Sequence, residues 1–143
     1  MDVRVVPAET EALRAKAYAL RREVFVVEQR VPAEIELDEK DAEAFHAVAL
    51  LGDRCIGTGR LVVQGGGVGR VGRMAVDAAF RRRGVGDLVL VALEERARAE
   101  GLREIELHAQ CYVERFYAKH GYAREGATFE EAGIEHVVMR KRL

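Results

Sequence analysis

Residues 81–86 read Arg-Arg-Arg-Gly-Val-Gly, RRRGVG. They lie between a strand-like run, VGRMAV (71–76), and a helix-like run, GDLVLVALEERARAEG (86–101). Three adjacent arginines repel one another. Positive charge at a helix N-terminus also opposes the macrodipole by about 0.3–1 kcal/mol. A solvated basic turn therefore explains the stretch poorly. An anion explains it better, because the first turn of a helix leaves backbone N–H groups unpaired. Gly84 and Gly86 have no Cβ, so a bulky anion can approach the backbone. Arginine supplies charge-assisted bonds to phosphate oxygens. The context strand, arginine-glycine turn, helix thus predicts a pyrophosphate-type site.

The elements on either side define the fold class. The helix-like run puts Val85, Leu88, Val89, Ala92 and Leu93 on one side and Glu94, Glu95, Arg98 and Glu100 on the other, with Gly101 as its stop. DVRVVPA (2–8) alternates as a first strand. Thr10 is a candidate N-cap for a helix carrying Leu13, Ala17, Leu20 and Val24, expected to end near Val27. EQRVPAEIELDEKDAEA (28–44) is acidic and without period, a loop long enough to be functional. FHAVALLGDRCIGTGRLVVQ (45–64) reads as two strands joined at Gly52-Asp53. GGGVG (65–69) then turns into RVGRMAV (70–76), a third strand of the meander. REIELHAQ (103–110) is a strand and VERFYAKH (113–120) a short helix stopped by Gly121. YAREG (122–126) and IEHVVMRKRL (134–143) are closing strands. The order predicts a mixed α/β domain spanning 1–143.

Several function classes are disfavoured. Gly67, Gly69 and Gly72 fit GxGxxG, but a strand follows them where a dinucleotide site needs a helix. Lys plus Arg number 23 against 24 Asp plus Glu, so the broad basic surface of a nucleic-acid binder is missing. Cys55 and Cys111 form no CxxC pair, which predicts a reduced, cytoplasmic protein. MDVRVVPAET does not resemble a signal peptide, and no apolar run is long enough for a membrane span. His46, His108, His120 and His136 lack partners at helical spacing, so no metal is expected.

Arg81-x-x-Gly84-x-Gly86 matches the [RQ]xxGx[GA] signature of the GNAT N-acetyltransferases. RMAVDAAFRRRGVGDLVLVALEERARAEG (73–101) resembles that family's whole strand–loop–helix segment, and FYAKHGY (116–122) its later FYxxxGF segment. EAGIEHVVMRK (131–141) and LRREVFVVEQRVPAEIELDEKD (20–41) resemble the ends of the small bacterial ElaA-like and YjcF-like branch. The resemblance implies a single-domain GNAT fold, a mostly antiparallel mixed sheet splayed between its fourth and fifth strands with flanking helices. It also implies acetyl-CoA as acyl donor, with its pyrophosphate on the arginine-glycine turn, and direct transfer to an amine.

The same resemblance distributes roles. Met74, Ala75 and Val76 would pair with the pantetheine arm and polarise the thioester carbonyl. Arg81, Arg82, Arg83, Gly84, Val85, Gly86 and Asp87 would hold the pyrophosphate, while Gln110 and Phe116 complete the cofactor wall. Tyr117 falls at the general-acid position, where a core tyrosine is the competing reading. Glu28, His46 and His108 are candidates for the base that frees the amine. Gln29, His46, Arg60, Arg73 and His136 are candidates for the acceptor side. Glu34, Glu36, Asp38, Glu39 and Asp41 could draw in a cationic small-molecule or peptide amine, or be a solvated loop. Neither nucleic acid nor membrane is an expected partner. A homodimer is left open, since an edge strand near the C-terminus offers a pairing surface. The rival readings are a non-catalytic acyl-CoA-binding module and an arginine-based nucleic-acid domain.

Overall fold

The hairpin signal at Gly52-Asp53 organises the first half of the sheet. In the computed structural model, which describes residues 1–143, those two residues join β2 (Phe45–Leu51) to β3 (Arg54–Gly65). β1 (Val3–Pro7) pairs outside β2 and β4 (Val68–Val76) outside β3, all antiparallel. The GxGxxG glycines fall in the turn before β4 and in β4 itself, so no helix follows them. β5 (Glu104–Gln110), β6 (Ala123–Glu131) and β7 (Ile134–Arg142) complete a sheet of order β1-β2-β3-β4-β5-β7-β6. This is the mixed α/β architecture expected from the element order.

The functional gap comes from one short pairing. β4 and β5 run parallel and pair only from Val68↔Glu104 to Val71↔Leu107. Beyond that point β4 stays with β3 as far as Val76, and β5 stays with β7 as far as Gln110. The two strands therefore splay, and the edge of β4 after Val71 faces no strand.

α3 (Val85–Ala99) crosses the sheet at this gap, burying Val85, Val89, Leu90, Leu93 and Ala97. Its buried stripe is rotated from the one predicted. Leu88 is 46% exposed, whereas Glu94 is buried and accepts from the Tyr122 hydroxyl at 2.8 Å and Lys141 at 3.0 Å. The buried carboxylate is satisfied by partners from distant strands, which helical periodicity does not reveal. Two glycines of β3 admit the helix. A Cβ on Gly57 would stand 2.6 Å from Val85 Cγ1, and one on Gly59 would stand 2.8 Å from Leu93 Cδ1. Gly57→Ala is therefore expected to cost about 1–3 kcal/mol by overpacking. A lower urea midpoint with an unchanged m-value would show it.

α1 (Glu11–Arg21) packs on the other face, its first turn capped by Thr10 Oγ1, which accepts from the Leu13 N–H at 3.1 Å. The helix does not stop there. It widens into π-helical turns over Arg22–Glu28, which carry Glu28 and Gln29 to the splay.

The acidic segment after it departs from the expected loop. It forms α2 (Ala33–Glu36) and a 3₁₀ turn (Glu39–Ala42), and its carboxylates face inward. Arg21 donates to Glu36 at 2.6 Å and to Asp41 at 2.7 Å. Arg60 donates to Asp38 at 2.8 Å and to Asp41 at 2.9 Å. Burial pushes the Asp41 carboxyl up, but bonds from Arg21, the Asp38 amide and Arg60 outweigh it and hold it far below the usual carboxylate range. Glu36, Asp38 and Asp41 are thus spent on arginines of the same chain, correcting the picture of a solvated or amine-attracting loop. Only Glu34 and Glu39 of that group are exposed.

Candidate active site

The arginine-glycine turn lies exposed where α3 begins. Arg82 and Gly84 both take left-handed backbone, at φ 62° and 81°. Left-handed residues in such a turn aim successive amides into one nest. The amides of Val85, Gly86 and Asp87 have no partner within the protein, and no side chain caps the helix. Space beside Gly84 is open: a Cβ there would meet only Asp87 Oδ2, at 3.9 Å. Gly86 is closely packed, since a Cβ there would stand 3.3 Å from the Phe116 ring and the ring would have to shift slightly to admit it. That contact holds α4 (Glu114–Ala118) against the start of α3.

The three arginines take different places. Arg82 and Arg83 are exposed and bonded to no carboxylate, with Arg83 lying 5.9 Å from the Phe80 ring centroid. Arg81 turns into the splay, donating to Val76 O at 3.0 Å and, through both terminal nitrogens, to Glu28 at 2.7 Å. The Arg81 bond holds the Glu28 carboxyl below its ordinary range, which makes Glu28 a poor proton acceptor in this arrangement. The Asp87 carboxylate borders the space beside Gly84 through Oδ2, while its Oδ1 takes bonds from His120 at 2.7 Å and Lys119 at 3.0 Å.

β4 is bulged beside the gap. Between Thr58↔Ala75 and Arg60↔Gly72, Gly59 alone of β3 stands against Arg73 and Met74. Arg73 takes φ 53°, left-handed backbone that costs a non-glycine residue about 1–2 kcal/mol. Its side chain secures that geometry, donating to Glu36 O at 3.0 Å and Asp38 at 3.2 Å. The bulge lies just beyond the last β4–β5 pair and precedes Ala75 and Val76.

Tyr117 is buried among the rings of Phe116 and Tyr122, with centroids at 5.0 and 5.9 Å. Its hydroxyl bonds to no protein group, and burial pushes its pKa far up, so it stays protonated. Across the gap, Gln29 and Gln110 exchange bonds at 2.9 and 3.3 Å, and Gln29 also donates to the Tyr112 hydroxyl at 3.0 Å. The end of the π-helical segment thus touches both sides of the splay.

His108, Gln110 and His136 share the sheet face turned away from α3, opposite the core positions Leu107, Ala109 and Val137. His46 and Arg60 do not join them. Both are buried under α1, where His46 Nε2 faces Asp41 O at 2.9 Å and Arg60 serves the carboxylate network. Burial lowers the His46 pKa, and its position removes it as an acceptor contact. Sequence reasoning missed Tyr112, Arg70, Phe129 and Glu131 near this face. Only Gly126, a possible bulge glycine ahead of Phe129, hinted at the last two.

Comparison with known proteins agrees with this geometry. Residues 7–143 match the family model of the acetyltransferase (GNAT) domain. The chain is 39% identical to the uncharacterized N-acetyltransferase YjcF of Bacillus subtilis over 140 residues, covering 97% of this chain and 99% of that one. A crystal structure from Lactobacillus plantarum, assigned as an N-acetyltransferase, superposes at TM-score 0.92 with 36% identity, covering 100% of this chain and 99% of that one. An acyl-CoA N-acyltransferase from Pseudomonas aeruginosa superposes at TM-score 0.84 with 26% identity and 99% of each chain covered. Splayed sheet, bulged fourth strand and sequence matches together establish that this chain belongs to the GNAT acetyltransferase family.

Proposed function

We propose that the chain transfers an acetyl group from acetyl-CoA directly to a primary amine of a small-molecule or peptide acceptor, within a ternary complex. The unpaired amides of Val85, Gly86 and Asp87, flanked by free Arg82 and Arg83, carry this reading. They form an anion nest at the open end of a gap lined by a bare strand edge. A diphosphate seats there, and the pantetheine arm pairs along Met74, Ala75 and Val76. Arg81 now bonds both Val76 O and Glu28, so seating the arm along β4 draws Arg81 away from that carbonyl. When bound, the donor supplies an activated thioester. Backbone amides at the β4 bulge polarise its carbonyl, and Tyr117 gives a proton to the departing sulfur. Gln29 and His136 border the acceptor side, and Gln110, bonded to Gln29, completes the cofactor wall beside it. The two free thiols, Cys55 and Cys111, fit work in a reducing cytoplasm.

Calorimetric titration with acetyl-CoA, followed by thiol release with a set of primary amines, tests the proposal. Saturable binding and amine-dependent release are expected. Binding without release would favour a non-catalytic acyl-CoA module, and no binding would overturn the reading. Tyr117→Phe is expected to lower turnover on the order of a hundredfold with acetyl-CoA affinity unchanged. The lost hydroxyl bonds nothing in the protein, so stability should hold within about 1 kcal/mol. Unchanged turnover would remove Tyr117 from the mechanism.

A further inference from the structure

We infer that Glu28 and Gln29 form a strap across the splay that competes with the acyl donor, with the Glu28 carboxylate holding Arg81 in place of a phosphate. This inference rests on the acyltransfer reading and adds an autoinhibitory contact to it.

The strap bonds to both lips of the gap. On the β4 side, Arg81 donates through Nη1 and Nη2 to the two carboxylate oxygens of Glu28, each at 2.7 Å. On the β5 side, Gln29 exchanges side-chain bonds with Gln110 at 2.9 and 3.3 Å and donates to the Tyr112 hydroxyl at 3.0 Å. Glu28 and Gln29 are consecutive residues. A single peptide unit therefore ties together two sides of the sheet that part after Val71↔Leu107.

Glu28 imitates a phosphate in charge and in shape. A guanidinium grips a carboxylate and a phosphate alike, through two parallel N–H donors aimed at two oxygens. Arg81 is the one arginine of the turn whose donors are taken up in this way, since Arg82 and Arg83 bond to no carboxylate. Its remaining donor, Nε, lies 3.0 Å from Val76 O. That carbonyl ends the bare edge of β4, along which a strand-like arm needs its acceptors free. A diphosphate donor thus meets the strap twice. It competes with Glu28 for the guanidinium, and its arm runs where Arg81 now caps the strand.

Little packing opposes release of the strap. Of Arg22–Glu28, Val24 alone is buried, and Val27 is 58% exposed. The side chains of Arg81 and Glu28 are 37% and 44% exposed, so an incoming anion reaches the guanidinium without unfolding anything. Exposed pairs of this kind are weak. The backbone is irregular on both sides of the contact. Before it the helix has widened into π-helical turns, a feature that recurs at functional sites. After it Arg30 stands at φ 61°, left-handed backbone that a non-glycine residue holds under strain. Two backbone bonds close this end, from the Gln29 N–H to Val24 O at 3.0 Å and from the Val31 N–H to Phe25 O at 2.8 Å. A segment held by so few contacts opens at low cost. Arg81 then leaves Glu28 for the diphosphate, the carboxylate turns to solvent, and the entering arm displaces Gln29 from Gln110 and Tyr112.

Calorimetric titration of the full chain with acetyl-CoA tests this, because it reads affinity and not turnover. A competing strap lowers donor affinity, so removing it must raise that affinity. Glu28→Gln and Gln29→Ala should each bind acetyl-CoA about two- to fivefold more tightly than the wild type. Gln29→Ala changes no charge, which separates the strap from plain repulsion between Glu28 and the diphosphate. In an Arg81→Ala background Glu28→Gln should gain nothing, since no guanidinium is left to release. Hydrogen exchange gives a second reading. The amides of Gln29 and Val31 should exchange faster with acetyl-CoA bound, whereas a segment that only lined the cofactor would become protected. Unchanged or weaker binding by either single variant would overturn the inference. So would a Glu28→Gln gain that survives Arg81→Ala, or unchanged or slower exchange of those two amides. Loss of acetyl-CoA binding by the wild type would instead overturn the acyltransfer reading.

Discussion

Gly84→Asp should abolish acetyl-CoA binding at concentrations that saturate the wild type. Gly84 takes φ 81° at the N-cap of α3, so any side chain there carries left-handed strain of about 1–2 kcal/mol. Charge adds the larger share. The introduced carboxylate enters the open side of the nest and competes for the amides of Gly86 and Asp87. It also faces a diphosphate at close range. Two like charges about 4 Å apart near a protein surface repel by roughly 4 kcal/mol, about a thousandfold in Kd. Gly84→Asn separates the two effects, having similar size and tolerance of left-handed backbone but no charge. It should lose about tenfold or less. Gly101 lies at φ 77° on the far end of the same helix, where a Cβ meets nothing within 4 Å. Gly101→Asp therefore carries comparable strain without touching the nest, and should bind normally. Equal affinity of Gly84→Asp and wild type would remove the diphosphate from this turn.

The readable and unreadable parts of this site divide by the range of the interactions involved. The arginine-glycine turn at the start of α3 was legible because it is local: arginines, glycines and helix start are consecutive, and their physics needs no tertiary partner. The element order was legible for the same reason, through period and turn residues. The splay between β4 and β5 came from the family resemblance alone, and their short parallel pairing was not read at all, since no local pattern encodes where two strands meet and part. Glu94 was misplaced because its partners, Tyr122 and Lys141, are distant in sequence. The carboxylates of residues 34–41 looked available because nothing near them in sequence announces Arg21, Arg60 and Arg73. Glu28 looked like a base until Arg81 closed on it. Burial and long-range pairing decide what a titratable group can do, and both are products of the fold.

Arg21→Leu is expected to show the largest loss of stability. Arg21 is 1% exposed, with Glu36 and Asp41 comparably buried. Leucine keeps an apolar stem in the core but strands two carboxylates that the guanidinium now satisfies, with Arg60 left to share Asp41 alone. Removing one partner of a buried pair costs about 3–5 kcal/mol, a large part of the roughly 5–15 kcal/mol that holds a domain together. The pH dependence identifies the cause. In the wild type the Asp41 carboxyl is depressed, so its contribution is complete above the unfolded carboxylate pKa, near about 4, and fades as pH falls below it. In Arg21→Leu the part of that depression supplied by Arg21 is lost, so acidification should weaken the variant less than the wild type. Urea midpoints of the two proteins should therefore converge on acidification. A gap that stays constant with pH would mean lost packing and not stranded charge. The defect should also reach the catalytic edge. Glu36 O and Asp38 are the groups that hold Arg73 at its left-handed bulge, so loosening α2 frees the β4 backbone to which the proposed function assigns the thioester carbonyl. Turnover per folded molecule should then fall more than acetyl-CoA affinity, because the nest at Gly84 is built by a different segment of chain.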